Sequence, residues 1–180
     1  SSPNAYRVRP VNALGGYVNF EPSNPRPTTA PEVGGNLRVA ATNLLNYFNT
    51  FDGLPDNVDN CTFGVGGAHA DCRGADTQTE FDRQWPKTIA ALLKLDADVI
   101  GLVELENDGY GADSAIQDLV ERLNTATVPG TWAFIDADAG AGQENALGTD
   151  AIKVGIVYQP AKVTPVGTTA VLNSVAFVNG

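Results

Sequence analysis

The sequence predicts an α/β (α+β) chain built on a mixed β-sheet with flanking helices. Three observations carry that expectation. Two apolar runs with strand character, Leu37-Arg-Val-Ala-Ala-Thr42 and Val99-Ile-Gly-Leu-Val103, stand about sixty residues apart. Between them Phe81, Trp85, Ile89, Leu92 and Leu93 recur at helical spacing. A second helical stripe, Ile116, Leu119, Val120 and Leu123, leads into two further strand-like runs, 131–135 and 152–158. The order β-α-β-α-β-β belongs to an α/β or α+β domain.

Taken in order, residues 1–36 are proline-rich (Pro3, Pro10, Pro22, Pro25, Pro27, Pro31) and read as an extended leader or linker, with the domain spanning 37–180. The first strand is expected to stop at the polar Asn43. Thr77-x-x-Glu80 is a capping-box pattern that starts the first helix, and Pro86 inside the helical stripe predicts a kink or a late start. Asp96-Ala-Asp98 turns the chain into Val99–Val103, a continuous apolar run of the kind buried on both faces of a sheet. That run ends in Glu104-Leu-Glu106-Asn107-Asp108. The second helix is expected from about Asp113 to Asn124, a glycine-rich loop over 136–149, and short strands near 162–166 and 170–178.

Composition narrows the class. The chain has 180 residues, 43% hydrophobic and 18% charged, which is globular and excludes disorder for its bulk. Eleven Lys and Arg against 21 Asp and Glu give a net charge of −10. Such a surface repels nucleic-acid phosphates unless a divalent cation or a local basic patch intervenes. Charge is also uneven: +2 over residues 1–40 (Arg7, Arg9, Arg26 and Arg38 against Glu21 and Glu32), and −6 over 52–82, where Arg73 stands against seven acids. The acidic stretch reads as a solvated loop, with calcium stabilisation as the alternative. No apolar run approaches the roughly 18 residues of a membrane span, so no membrane partner is expected. Methionine is absent, even from position 1, so a native start upstream is expected.

Cys61 and Cys72, with no other cysteine, are expected to close a disulfide around a glycine-rich loop. That places the chain in an oxidising compartment, secreted or periplasmic. A zinc site from Cys61, His69, Asp71 and Cys72 is the alternative, although the spacing matches no common zinc pattern. Asn60-Cys-Thr62 forms a glycosylation triplet.

The candidate chemistry lies at two strand ends. If the strands flanking the first helix are parallel, their carboxyl ends share one edge, where ligands of open α/β sheets bind. Asn43 and Glu104 would meet there. A carboxylate against a low-dielectric wall with a neutral amide oxygen nearby suits a Mg²⁺ ion that keeps several waters and takes phosphate oxygens as further ligands. Equally, a glutamate after a strand and an asparagine in a turn are ordinary structural residues.

Leu37–Phe48, then Phe81-Asp-Arg-Gln84 through Leu95–Asn107, and Gly148–Tyr158 resemble, in order, three blocks of the endonuclease/exonuclease/phosphatase superfamily, specifically its secreted bacterial extracellular nucleases. The resemblance covers about 37–165. It implies half of a deoxyribonuclease I-like α/β sandwich, with phosphodiester hydrolysis supported by Mg²⁺, Mn²⁺ or Ca²⁺. It implies Glu104 as metal ligand, Asn43 as a group holding metal and scissile phosphate, and nucleic acid as a partner bridged by the ion. Asn107, Asp150 and Lys153 are weaker candidates for substrate contact. Thr42 departs from the pattern, since an aromatic residue is usual before the asparagine. The mid-chain histidine, Asp-x-Asn pair and closing Asp-His of the family have no counterpart; His69 lies too early in chain order. The chain thus reads as the amino-terminal half of a nuclease domain, inactive alone, with a sheet face available for self-association. Two alternatives stand beside this: a lipid or inositol phosphodiesterase of the same superfamily, and a secreted calcium-binding or adhesion module, for which Asp136-Ala-Asp138-Ala-Gly140 lacks the closing EF-hand carboxylate at Leu147.

Overall fold

A computed structural model describes residues 15, 23, 27–53 and 58–172. Their elements run β1 (Val39–Tyr47), β2 (Cys61–Thr62), β3 (His69–Ala70), α1 (Gln78–Lys94), β4 (Val99–Glu106), α2 (Ala115–Ala126), β5 (Ala133–Phe134), α3 (Ala137–Ala141) and β6 (Ile152–Tyr158). β1, β4, β6 and β5 form one sheet in that order, and β2 pairs with β3 separately. β1 and β4 are parallel, as a strand–helix–strand connection favours, while β6 is antiparallel to both neighbours. The fold is therefore α+β, a four-stranded mixed sheet with flanking helices.

Local sequence explains the helices. Thr77 Oγ1 accepts from the Glu80 amide at 3.3 Å, and Glu80 Oε2 accepts from the Asp76 amide at 3.2 Å, so a reciprocal cap fixes the start of α1. With that cap in place α1 begins at Gln78 and continues through the exposed Pro86, so the late start does not occur. Ser114 caps α2, which begins two residues later than its apolar spacing predicts. Both helices cover one face of the sheet. Phe81, Ile89 and Leu92 from α1 and Ile116, Leu119 and Leu123 from α2 pack against Ile100, Leu102, Leu105 and Val157 in a single core.

Among the described residues no helix covers the opposite face. Register aligns Ala41 with Gly101 and Gly101 with Ile156, and aligns Asn43 with Val103. Val39, Val103, Val154 and Ile156 on this face are 69%, 44%, 52% and 45% exposed. At one border, residues 169–172 approach Val154 and Ile156 and leave an apolar hollow of about 340 Å³.

Several boundaries depart from the sequence reading. β1 does not stop at Asn43 but reaches Tyr47, and β4 extends past Val103 to Glu106. β5 is only two residues long. The glycine-rich loop contains α3, capped by Asp136, whose Oδ1 accepts from the Ala139 amide at 2.8 Å. No strand forms at 162–166; residues 170–172 are also irregular, and the rest of the strand expected at 170–178 lies outside the described residues. Of the expected leader, 27–36 are exposed and irregular, and most of the rest lies outside the described residues. Among the described residues no helix is long and apolar enough to cross a membrane.

Candidate functional site

Glu104 stands where both ladders of the central strand β4 break. On the β1 side, Asn43 pairs with Val103 and the next pairing is Tyr47 with Leu105. Leu44, Leu45 and Asn46 therefore face Glu104 alone. On the β6 side, pairing passes from Leu102–Gly155 to Leu105–Lys153, so Val103 and Glu104 share Val154. Glu104 has φ 61°, and Leu45 and Asn46 have φ 57° and 59°. Left-handed backbone at a residue with a side chain costs about 1–2 kcal/mol, so three such residues meeting at one rim hold a strained conformation that the surroundings must enforce. Asn43 is exposed and Glu104 half-buried. Asn43 Oδ1 accepts from the Leu45 amide at 2.7 Å, which turns the chain into the bulge and leaves a second lone pair on that oxygen. The two residues lie one register position apart. They sit inside the strands, at the bulge, rather than beyond the strand ends as the sequence reading had them.

The three residues after Leu105 tie this rim to its neighbours. Glu106 is 3% exposed, and its Oε2 accepts from the amides of Asn49 and Thr50 at 2.9 and 3.1 Å, just past the end of β1. Burial raises its carboxyl above the ordinary range, partly offset by those donors and by Lys153. Asn107 is also buried. Its backbone donates to Ala151 O at 2.9 Å, and its Nδ2 donates to Gly148 O and Asp150 O at 3.0 and 2.8 Å. Asp108 Oδ2 accepts from the Ala115 amide at the start of α2, at 2.7 Å. Burial, and then the charge of Glu106, pushes the Asp108 carboxyl up to about 7.

Lys153 is an internal charge, with its side chain 1% exposed. Its Nζ donates to Gly109 O, lies 4.1 Å over the Tyr110 ring and is 3.9 Å from Asp108 Oδ1. Burial lowers its pKa, opposed first by Asp108. Placed this way, the ammonium is turned into the protein and away from any surface substrate. Asp150 is exposed and paired with Arg73 at 3.1 Å, and Asn107 spends its amide on the 148–150 loop. None of these three weaker candidates is brought beside Glu104 by a hydrogen bond or ion pair. From sequence Glu106 reads as a turn former, or as a residue facing the substrate groove; it is instead the buried last residue of β4, and a second acid two residues beyond Glu104, after a wholly apolar run, was the available signal.

Cys61 and Cys72 are joined, with Cα atoms 5.1 Å apart, which removes both from the zinc alternative. The bridge is buried with Phe48 and against Ile152. Its hairpin is held on the far side by Asn145, whose Oδ1 accepts from the Val65 amide at 2.8 Å and whose Nδ2 donates to Val65 O at 3.0 Å. His69 is exposed on β3. Asp52, Asp59 and Asp71 converge nearby, with one carboxylate oxygen from each within 4.8 Å of the others. Lost hydration, and then the charges of Asp52 and Asp59, hold the Asp71 carboxyl above its usual range.

Backbone register brings two residues with oxygen donors to this bulge, Glu104 with its carboxylate and Asn43 with its amide, one position apart. Among the described residues Glu104 belongs to no group of three or more His, Cys, Asp or Glu that could hold an ion. That donor set does not make a closed cage, but it fits Mg²⁺, which binds through one or two protein oxygens and keeps waters or phosphate oxygens for the rest. No family model matches the chain, and no curated protein or solved structure matches it either.

Proposed function

We propose that this chain is the amino-terminal part of a divalent-metal-dependent phosphodiesterase domain of the endonuclease/exonuclease/phosphatase superfamily, acting on nucleic acid outside the cytoplasm. The observation that carries the reading is Glu104, a strained, half-buried carboxylate at a double bulge, with Asn43 one register position away. Strain of this kind clusters at functional sites. Glu104 and the free lone pair of Asn43 would hold Mg²⁺ or Mn²⁺. Once bound, the ion supplies Lewis-acid polarisation of a phosphoryl oxygen and a local positive focus on a protein of charge −10. The chain's own part is to fix two oxygens and leave the outer side open to phosphate.

The single histidine, His69, is exposed on β3, and among the described residues Glu104 belongs to no cluster of three or more His, Cys, Asp or Glu, so this chain alone is expected to bind the ion without turnover. The disulfide fits an oxidising compartment. The sheet face that no helix covers among the described residues fits a two-layered sandwich whose second layer is another part of the same domain, or a second copy.

Titration calorimetry with Mn²⁺ tests the reading. The wild-type chain is expected to bind at one site, and Glu104→Gln to weaken binding at least tenfold. Equal binding by both removes Glu104 from the site. Hydrolysis by the full-length protein of phospholipid or inositol phosphate in preference to DNA and RNA would move the assignment to the lipid branch.

The convergence of Asp52, Asp59 and Asp71 supports a second reading, a structural calcium ion beside the disulfide. A calcium-dependent rise in melting temperature that survives Glu104→Gln and is lost in Asp71→Asn would establish it.

A further inference from the structure

We propose that Glu106 is the positioning residue of the Glu104 rim: its buried carboxylate locks the double bulge by holding the backbone that leaves β1. This rests on Glu104 being the ligand-bearing residue, but the geometric claim is tested separately below.

The bulge is bracketed. On its amino-terminal side the strands are in register at Asn43–Val103, and on its other side at Tyr47–Leu105. Three residues of β1 against one of β4 is a loose arrangement unless both brackets are fixed. The first bracket continues a regular parallel ladder from Val39–Val99 onward. The second is a single pairing, after which β1 ends. Glu106 supplies what the ladder lacks there, accepting from the Asn49 and Thr50 amides with one oxygen. Its other oxygen lies 3.4 Å from Cys61 Sγ, a sulfur that carries no proton in the disulfide. Among the described residues no lysine or arginine forms an ion pair with Glu106; the Thr50 side chain and the two backbone amides favour its charged form, with Lys153 acting from further off. A carboxylate 3% exposed and committed to backbone amides has no substrate to touch. Its work is to keep β1 and β4 aligned across the mismatch, and with them Asn43 and Glu104.

The experiment uses the full chain with its disulfide intact. Amide hydrogen exchange at Asn49, Thr50 and Leu105 reads the second bracket, and Mn²⁺ affinity reads the rim. Glu106→Gln keeps an acceptor oxygen and is expected to speed exchange at Asn49 and Thr50 about tenfold and weaken Mn²⁺ about threefold. Glu106→Ala is expected to speed exchange at all three by more than a hundredfold and weaken Mn²⁺ at least tenfold. Ile89→Val, on the distant core face of α1, lowers the melting temperature without moving Mn²⁺ affinity or exchange at those amides. If Leu105 exchanges at the wild-type rate in both Glu106 variants, the positioning role is overturned, whatever the metal does. If Glu104→Gln binds Mn²⁺ like wild type, the metal reading fails, while the exchange result still judges Glu106. If Glu106→Ala is too unstable to purify, Glu106→Gln, which preserves shape, decides alone, and wild-type exchange at both Asn49 and Thr50 in it overturns the role.

Discussion

Asp108 has a carboxyl pushed up to about 7 by burial and by Glu106, against an unfolded value of 3.8. The folded protein therefore holds this proton more tightly than the unfolded chain does. The resulting stability is fully present below about pH 4 and is lost as pH rises through 7, and raised Glu106 acts in the same direction. Asp108 faces Glu106, Lys153 and the Ala115 amide, and Lys153 in turn feels Asp136 and Asp138. Urea unfolding is expected to show a loss on the order of 2–4 kcal/mol between pH 4.5 and 7.5, with Asp108→Asn flattening much of the slope. Equal slopes in both proteins would remove Asp108 as the source. The sequence made Glu104 and Asn43 visible because each ends an apolar run with a polar side chain. It could not show the left-handed backbone of Glu104 or the inward turn of Lys153, since both follow from pairing with strands far away in the chain.

At the scale of elements, the capped, periodic helices were legible, because Thr77, Glu80 and the apolar stripe act within a few residues of one another. β1 and β4 were underestimated at their carboxyl ends, because polar residues that look like strand stops are carried onward by the bulge. The hairpin and α3 were missed because short elements depend on contacts such as Asn145 with Val65 rather than on periodicity. Gly155 shows how closely the elements approach. It lies on the helix-facing side of β6, and an added Cβ would stand 3.2 Å from both Ile116 Cδ1 and Leu105 Cδ2. The Ile116 and Leu105 side chains must give by a few tenths of an ångström to admit a methyl group. Gly155→Ala is expected to cost about 1–3 kcal/mol in thermal or urea unfolding. A neutral or stabilising result would mean that the Ile116 and Leu105 side chains yield without cost.

At the scale of the molecule, one face of the sheet is dry and the other is not. The uninterrupted apolar run Val99–Val103 reads as a strand covered on both sides, and among the described residues the core forms on the side of α1 and α2. Val39, Val103, Val154 and Ile156 keep about half or more of their surface in water, and burying the remainder is worth about 1 kcal/mol each, enough together to favour association. The opposing force is the charge of −10, which repels a second copy and weakens as salt screens it. Concentration-dependent association, with binding of a hydrophobic dye, is therefore expected to grow from low to high ionic strength. Ile156 lies opposite Gly101, 45% exposed at the edge of the hollow beside residues 169–172, on the side of β6 away from α1 and α2. Ile156→Lys should suppress both dye binding and association while leaving the helical circular dichroism signal intact, because the core face of β6 is carried by Gly155 and Val157. A wild-type chain that stays monomeric and dye-free at about 100 µM in high salt would show that this face needs no cover, and the two-layer reading of the domain would lose its support.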